Sequence, residues 1–278
     1  MGRYMKYEVK GSYKFILGVL ALVLILTTGI YAYIANANEG SELGATFMGL
    51  STLVIFGTLL TTFLYIVGSF RKELYEDRGY LTFTLPLTGN QILGSKLIVA
   101  IIWFVILGLV IGLYNILMAY SFSPIKPDIS DIVAFIRSIP IREASVFLLI
   151  MFIGGVSTLI LIYFSMALSR VTFRNKRIGG FWFVIFLILS GLVAMGQAKI
   201  IQALPYYLDL DTFRIVSNDM LNYGFHIEMS SAGLMASGDM GNAVLNIAGF
   251  IYSIAVGVKF FLGTGYIISK TIVEATTK

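Results

Sequence analysis

The sequence contains no cysteine and only one histidine, His226. The absence of cysteine excludes a disulfide framework and a thiolate metal site. A single histidine cannot form the HExxH zinc motif, so we interpret His226 as a loop histidine rather than a metal ligand. The GxSxG motif of serine hydrolases is also missing. We therefore predict that the chain is not an enzyme and that it holds no metal and no cofactor of its own.

Charged residues are scarce as well. They make up 13% of the 278 residues, whereas 58% are hydrophobic and the mean hydropathy is +0.87. Soluble domains carry about 25% charged residues, so the composition indicates an integral membrane protein. The net charge of +5 does not indicate nucleic-acid binding, because the location of charges in a membrane protein matters more than their sum.

Six windows of at least 19 residues contain no charged residue and no histidine. About 20 apolar residues in a helix cross a hydrocarbon core roughly 30 Å thick. Helices satisfy their own backbone hydrogen bonds in lipid, and these windows do not alternate as barrel strands do. The sequence therefore predicts an all-α integral membrane fold with one transmembrane domain over residues 1–278. The predicted spans are about 15–36, 46–70, 97–120, 145–168, 178–198 and 243–267.

Basic residues concentrate on one side of this predicted topology. The two termini, the 71–96 loop and the 169–177 loop hold 14 of the 20 Lys and Arg residues, against five in the opposite loops. The opposite loops hold 10 of the 15 acidic residues. The positive-inside rule therefore predicts that both termini and the 71–96 loop are cytoplasmic, with the chain in the plasma membrane.

The start of the chain permits a second interpretation, a cleaved signal peptide. Lys10 and Lys14 precede an apolar run that ends near Ala35-Asn36-Ala37, which resembles a signal-peptidase site. The run over residues 15–35 is 21 residues long, which exceeds the core of a usual signal peptide. We therefore favour a retained first helix.

The longest segment between predicted spans covers residues 199–239, between spans five and six. It contains Tyr206, Tyr207 and Phe225, so it is not a purely solvated loop. We predict short helices here that lie at the outer membrane interface.

The 71–96 loop contains a sequence that approaches a phosphate-binding loop. Residues 89–96 have the GxxxxG spacing, but the motif then requires Gly-Lys-Ser/Thr, and this chain has Ser95-Lys96. We reject nucleotide binding here and interpret Lys96 as an anchor at the membrane interface.

The same loop has a recognisable order of local signals. Residues 71–78 are charged and continue span two as a helical end, and Gly79 can terminate that helix. Pro86 disfavours helix at the residue before it. Thr88 and Gln91 match a capping box that opens the next helix. The loop is therefore predicted to be structured.

This arrangement resembles the first cytoplasmic loop of ABC type-2 exporter permeases. The matching residues are Lys72-Glu73-Leu74, Gly79, the run Leu81–Thr88 with Leu85-Pro86-Leu87-Thr88, and Leu93-Gly94-Ser95-Lys96. Outside residues 71–96 the likeness is one of topology only. The resemblance implies six helices with a short cytoplasmic coupling helix between helices 2 and 3, and an N-terminal elbow helix along the membrane.

The resemblance also implies partners. Two permease subunits, identical or paralogous, would pair with two copies of a separate ATPase subunit, which would bind the ATP and magnesium. Charged and aromatic residues of the 71–96 loop would dock in a groove on that ATPase. The candidate coupling residues are Glu73, Glu76, Asp77, Arg78, Tyr80 and Phe83. The alternative is that these charges only solvate a helix end.

Small and polar residues within the spans indicate helix contacts and a path. Gly108-x-x-x-Gly112 in span three and Gly249-x-x-x-Ser253-x-x-x-Gly257 in span six allow close helix packing, within one subunit or between two. Lys259 lies about 15 Å inside the cytoplasmic end of span six, so we expect it to face the bundle interior, a cavity or carbonyl groups. The candidate interior or path residues are Lys259, Asn115 and Asn246.

The leading functional hypothesis is the permease subunit of an ATP-driven exporter. The substrate class implied by the family is an amphipathic or antimicrobial peptide, a toxin peptide or another hydrophobic compound. The alternative is an ATP-independent secondary transporter or channel, although the spans contain no carboxylate for proton coupling. A membrane enzyme or scaffold is the third hypothesis.

Overall fold

The computed structural model describes residues 1–36, 41–75, 87–122, 141–172, 180–209, 213–217, 225–230, 233–238 and 244–276. Six helices in this part of the chain are long and apolar enough to cross a membrane. This confirms the predicted multi-pass helical fold in its coarse form. The helices are α1 (Gly2–Asn36), α2 (Ser41–Tyr75), α3 (Gly89–Phe122), α4 (Ile141–Thr172), α5 (Phe181–Ala203) and α6 (Ile247–Thr276).

The first helix is one continuous element. It holds 35 residues, about 52 Å at 1.5 Å per residue, which exceeds the roughly 30 Å of a hydrocarbon core. The prediction of a separate N-terminal elbow helix is therefore wrong for this chain. Residues 1–36 contain no proline to break the helix, and contacts to α3 described below hold its first turns in line. Helix α2 likewise continues to Tyr75, as predicted for its charged end.

The helices form two groups of three, α1 to α3 and α4 to α6, which meet where α2 and α3 contact α4 and where α3 contacts α6. The core between the groups is aromatic and aliphatic. The Phe70 and Tyr163 rings pack there with centroids 4.2 Å apart, among the buried Leu93, Met166 and Ile268. The outward surfaces of all six helices carry large exposed apolar side chains, as contact with lipid requires. Examples are Ile25, Leu64, Ile116, Leu148, Met195 and Ile251.

The start of α3 is fixed by a capping box and a close contact with α6. The Gln91 N–H donates to Thr88 Oγ1 at 3.3 Å, and the Thr88 N–H donates to Gln91 Oε1 at 3.1 Å. This confirms the predicted cap. The Gly89 N–H donates to Ser269 Oγ at 3.1 Å, and a Cβ at Gly89 would overlap the carbonyl oxygen of Gly265. Glycine is therefore required where these two helices meet.

The described part of the segment between α5 and α6 forms strands, so the predicted short outer helices are wrong there. Strands β1 (Tyr206–Asp209), β2 (Ile215–Ser217) and β5 (Val244–Asn246) form an antiparallel sheet in the order β2-β1-β5. Strands β3 (Phe225–Ser230) and β4 (Gly233–Gly238) form a separate antiparallel pair. Aromatic and β-branched residues favour strands, and the polar–apolar alternation over residues 226–229 is a strand pattern.

Candidate functional site

A buried charge cluster joins the first three helices. Lys96 Nζ lies 3.1 Å from Glu8 Oε2 and 2.9 Å from Glu73 Oε1. The Lys96 side chain is only 4% exposed, against 17% for Glu8 and 12% for Glu73. Glu8 lies in the early turns of α1, Glu73 in the last turn of α2 and Lys96 in the early turns of α3. One ammonium group therefore connects three helices.

Neighbouring side chains hold the cluster in place. The Tyr4 hydroxyl donates to the Glu73 carboxylate, with 3.2 Å to each oxygen. One turn beyond Glu8, Ser12 Oγ accepts the indole N–H of Trp103 at 2.9 Å. These two hydrogen bonds connect α1 to α2 and α1 to α3, next to the ion pairs. The first turns of α1 are thereby held against the other two helices.

The cluster contains two carboxylates and one ammonium group. Breaking a buried ion pair by removing one partner leaves an uncompensated charge and costs about 3–5 kcal/mol. Loss of Lys96 would leave the Glu8 and Glu73 carboxylates without an opposite charge beside them. The ion pairs therefore hold the three helices in one arrangement.

The cluster lies between the two helices that flank residues 76–86, which are outside the described residues. Glu73 is in the helix that leads into this segment, and Lys96 is in the helix that leads out of it. Their ion pair therefore fixes the two helix ends that flank the segment relative to each other. The ion pair between Glu8 and Lys96 also connects α1 to these two helix ends.

The cluster changes the interpretation of two residues. Lys96 is buried and paired with carboxylates, so the prediction that it is an anchor at the membrane interface is wrong. The Glu73 carboxylate, proposed to contact a partner ATPase, is instead engaged by Lys96 and Tyr4 of its own chain. The remaining candidate coupling residues lie outside the described residues, and their role stays a prediction. These residues are Glu76, Asp77, Arg78, Tyr80 and Phe83.

The cluster was not predicted because the charge-free windows locate the membrane spans but do not show which charged residues outside them meet. Glu73 was placed on the charged helical end of span two, as a residue that docks on a partner, and Glu8 was left before the first span without a role. In the structure α1 extends through Glu8, which brings it to Lys96 together with Glu73. A signal was present in the charge order. An acidic residue before the first window, another just after the second and a lysine just before the third can meet at one end of a bundle.

The second notable feature is a cavity of about 520 Å³ between α4, α5 and α6. It adjoins the end of α5 and the start of α6, close to β5. Its wall is mostly aliphatic, with Phe250 and Phe260, and this volume falls in the range of small-ligand sites. Uncharged polar residues converge on it from all three helices and from β5. They are Ser157, Thr158, Ser190, Gln197, Asn246 and Ser253.

Three of the predicted α6 residues contribute to packing and to the cavity wall. A Cβ at Gly249 would lie 2.9 Å from Ile201 Cγ1, and one at Gly257 would lie 3.3 Å from Ser157 Oγ. These glycines therefore allow α6 to approach α5 and α4 within one chain. Ser253 lines the cavity beside them.

Gly108 and Gly112 behave differently from the α6 glycines. Both are exposed, and a Cβ at either position would have no heavy atom within 4 Å among the described residues. The described part of the chain therefore gives them no internal packing role. A contact with a second subunit stays a prediction.

The three polar residues that were predicted to lie in the interior or on the path have different surroundings in the structure. Asn246 lines the cavity. Asn115 donates from Nδ2 to the Ile111 carbonyl of its own helix at 2.8 Å. Lys259 lies on the exposed surface of α6 and does not face the interior of the single chain. Its place on a translocation path stays a prediction.

Comparison of the chain with protein-family models, curated proteins and solved structures found no match in any of the three. The likeness to exporter permeases therefore rests on residues 71–96 and on the six-helix topology.

Proposed function

We propose that this chain is the permease subunit of an ATP-driven exporter, which forms the translocation path with a second permease subunit. A separate ATPase supplies the hydrolysis, and two copies of it serve one complex. The chain lies in the plasma membrane with both termini and the 76–86 segment in the cytoplasm. The cargo is an amphipathic peptide or another hydrophobic compound.

The observation that carries the proposal is the charge cluster between the two helices that flank the 76–86 segment. An ATPase-driven permease needs a cytoplasmic segment that receives force and a rigid connection that passes it to the membrane helices. The Lys96 ion pairs with Glu8 and Glu73 connect both flanking helices and α1. Movement of the segment would therefore shift three membrane-spanning helices together.

The loop composition supports the same proposal. The 71–88 stretch combines charges with Leu81, Phe83 and Leu85, a mixture suited to a groove on another protein. The cavity between α4, α5 and α6 supplies a compartment for an apolar cargo beside the helices that the cluster joins.

The absence of cysteine in the natural chain allows a specific cross-linking test. We expect a Thr82→Cys variant, treated with a short thiol–amine cross-linker in intact native membranes, to join to a protein with an identified Walker A motif. An Arg214→Cys variant, at the predicted outer end, is the matched control and should not join to it. Reversal of Glu76 and Asp77 to lysine in the Thr82→Cys background should abolish the product. The proposal fails if Thr82→Cys labels efficiently yet joins to no ATPase.

One observation favours a second candidate, an ion-coupled transporter. The sequence argument against it was the lack of carboxylates in the spans, but Glu8 and Glu73 lie within long helices and their side chains are only 17% and 12% exposed. This candidate would be supported by transport that needs no ATP and depends on a proton or sodium gradient. The same transport should be lost in a Glu73→Gln variant. Transport that stops on ATP depletion while the gradients are maintained would exclude it.

A further inference from the structure

The cavity between α4, α5 and α6 has the dimensions and access of a ligand site. Its volume of about 520 Å³ suits a ligand of lipid-fragment or short-peptide size. Its wall continues from Ile150 near one end of α4 to Phe260 in α6, past Leu161 and Val193. An extended apolar group can therefore lie along the helices.

The cavity wall carries no Lys, Arg, His, Asp or Glu side chain in the described part of the chain. An ionised group that entered it would lose its hydration and find no opposite charge, which costs several kcal/mol in an apolar environment. The part of a ligand that occupies the cavity is therefore uncharged.

Three hydroxyl groups on the wall already donate their hydrogen to a backbone carbonyl, and their oxygens can still accept a hydrogen bond. Thr158 donates to the Gly154 carbonyl at 2.9 Å, Ser190 to the Leu187 carbonyl at 3.0 Å and Ser253 to the Phe250 carbonyl at 2.8 Å. A hydroxyl oxygen retains two lone pairs after its hydrogen is used. The wall therefore presents acceptors to a ligand, one from each helix.

Two amide side chains add donors. Asn246 is held rigidly, because its Oδ1 accepts the Gly249 N–H at 2.7 Å and its Nδ2 donates to the Leu204 carbonyl at 3.1 Å. Gln197 lines the cavity and makes no hydrogen bond with the described residues. Its amide offers two N–H donors and one carbonyl acceptor. Acceptors and donors thus face the same mostly apolar space.

We infer that this cavity binds a neutral amphiphile in which a secondary amide adjoins an aliphatic chain. The amide N–H donates to a wall hydroxyl, and the amide carbonyl accepts from Gln197. The aliphatic part packs on the isoleucine, leucine and phenylalanine side chains. An N-acyl lipid and an apolar peptide segment share this chemistry. That the ligand is the exported cargo rests on the proposed function, whereas binding itself does not require an ATPase.

The test uses the purified full-length chain in phosphatidylcholine nanodiscs without any ATPase. Two diazirine-bearing neutral probes are compared, N-dodecanoylethanolamide and N-acetyl-trileucine amide. The ester analogue of the first probe, which lacks the N–H, is the ligand control. Photolabelled residues are mapped by mass spectrometry, and the probe concentration for half-maximal labelling is measured.

We expect labelling on the cavity faces of α4, α5 and α6 by at least one amide probe. Half-maximal labelling should need about three- to tenfold more of the ester than of the amide, the equivalent of one lost hydrogen bond. A Gln197→Leu variant should show a similar loss. Ala194→Phe, which fills the cavity, should abolish labelling. The matched control, Ala255→Phe on an exposed position away from the cavity, should leave it unchanged.

The two probes distinguish the ligand sources. Preferential labelling by the acylethanolamide supports a lipid amide, and preferential labelling by the tripeptide supports a peptide. Equal labelling by ester and amide in the unmodified chain would overturn the inference without relying on any variant. Labelling confined to residues outside the cavity would overturn it too. Failure of the ATPase cross-linking test would leave these results unaffected.

Discussion

Replacement of Lys96 by methionine is the most informative single change in this structure. Methionine has nearly the length of lysine but no charge, so the packing of α3 changes little. The substitution removes the only ammonium group that the described residues place between Glu8 and Glu73. Both carboxylates then remain in a site where they are at most 17% exposed.

The expected cost follows from the burial of these groups. Removing one partner of a buried ion pair costs about 3–5 kcal/mol, because the remaining charge is left uncompensated. Replacing a whole buried ion-pair cluster by well-packed hydrophobic residues of similar volume is often neutral or stabilising, because no charge is left uncompensated. We therefore expect Lys96→Met to destabilise the chain by about 3–5 kcal/mol. The triple variant Lys96→Met, Glu8→Gln, Glu73→Gln should recover most of that loss, since the amide oxygen introduced by Glu73→Gln can still accept from the Tyr4 hydroxyl.

The assay is reversible unfolding of the purified chain in mixed micelles by increasing SDS, followed by circular dichroism. Lys72→Met, at an exposed position beside Glu73 at the end of α2, is the matched control and should stay within about 0.5 kcal/mol of the unmodified chain. A Lys96→Met variant as stable as the Lys72→Met control would refute the argument. A triple variant less stable than Lys96→Met would also refute it.

Further predictions concern helix contacts, capping and orientation. Gly89→Ala should destabilise the chain by about 1–3 kcal/mol in the same assay, because its Cβ would overlap the α6 backbone. Gly108→Ala, with open space, should not destabilise the chain, because alanine forms helices better than glycine. Thr88→Ala should cost about 0.5–2 kcal/mol through loss of the cap, and Thr88→Ser should restore it; equal stability of the two would contradict the capping role. In intact cells, a membrane-impermeant maleimide should label Arg214→Cys but not Arg71→Cys, and the reverse pattern would invert the proposed orientation.

The number and class of the spanning helices could be predicted from the sequence because the bilayer imposes a simple length requirement. The start of α3 could also be predicted, since Thr88 and Gln91 form a local signal that needs no tertiary contact. Strands β1 and β5 could not be assigned in this way, because their pairing joins residues such as Tyr207 and Asn246 that are far apart in the chain. A membrane context also biased the interpretation of that segment towards interfacial helices.

The candidate site was only partly predictable. Asn246 stood out as a polar residue in an apolar span and Ser253 as a small residue of a helix-packing motif, and both line the cavity. Their convergence with Gln197 depends on the packing of α5 against α6, which no local pattern determines. Lys96 was misinterpreted because its position at the start of a span is typical of a lysine at the interface, whereas its burial depends on Glu8 and Glu73 from two other helices.

The most direct test of the proposed function is affinity purification of the full-length chain from its native membranes in mild detergent, with quantitative mass spectrometry. We expect an ATPase with a Walker A motif in a ratio near one to one with the permease subunits. We also expect loss of that ATPase when Glu76 and Asp77 are both replaced by lysine. A stable chain that purifies without any ATPase in stoichiometric amount would contradict the exporter proposal and favour ATP-independent transport.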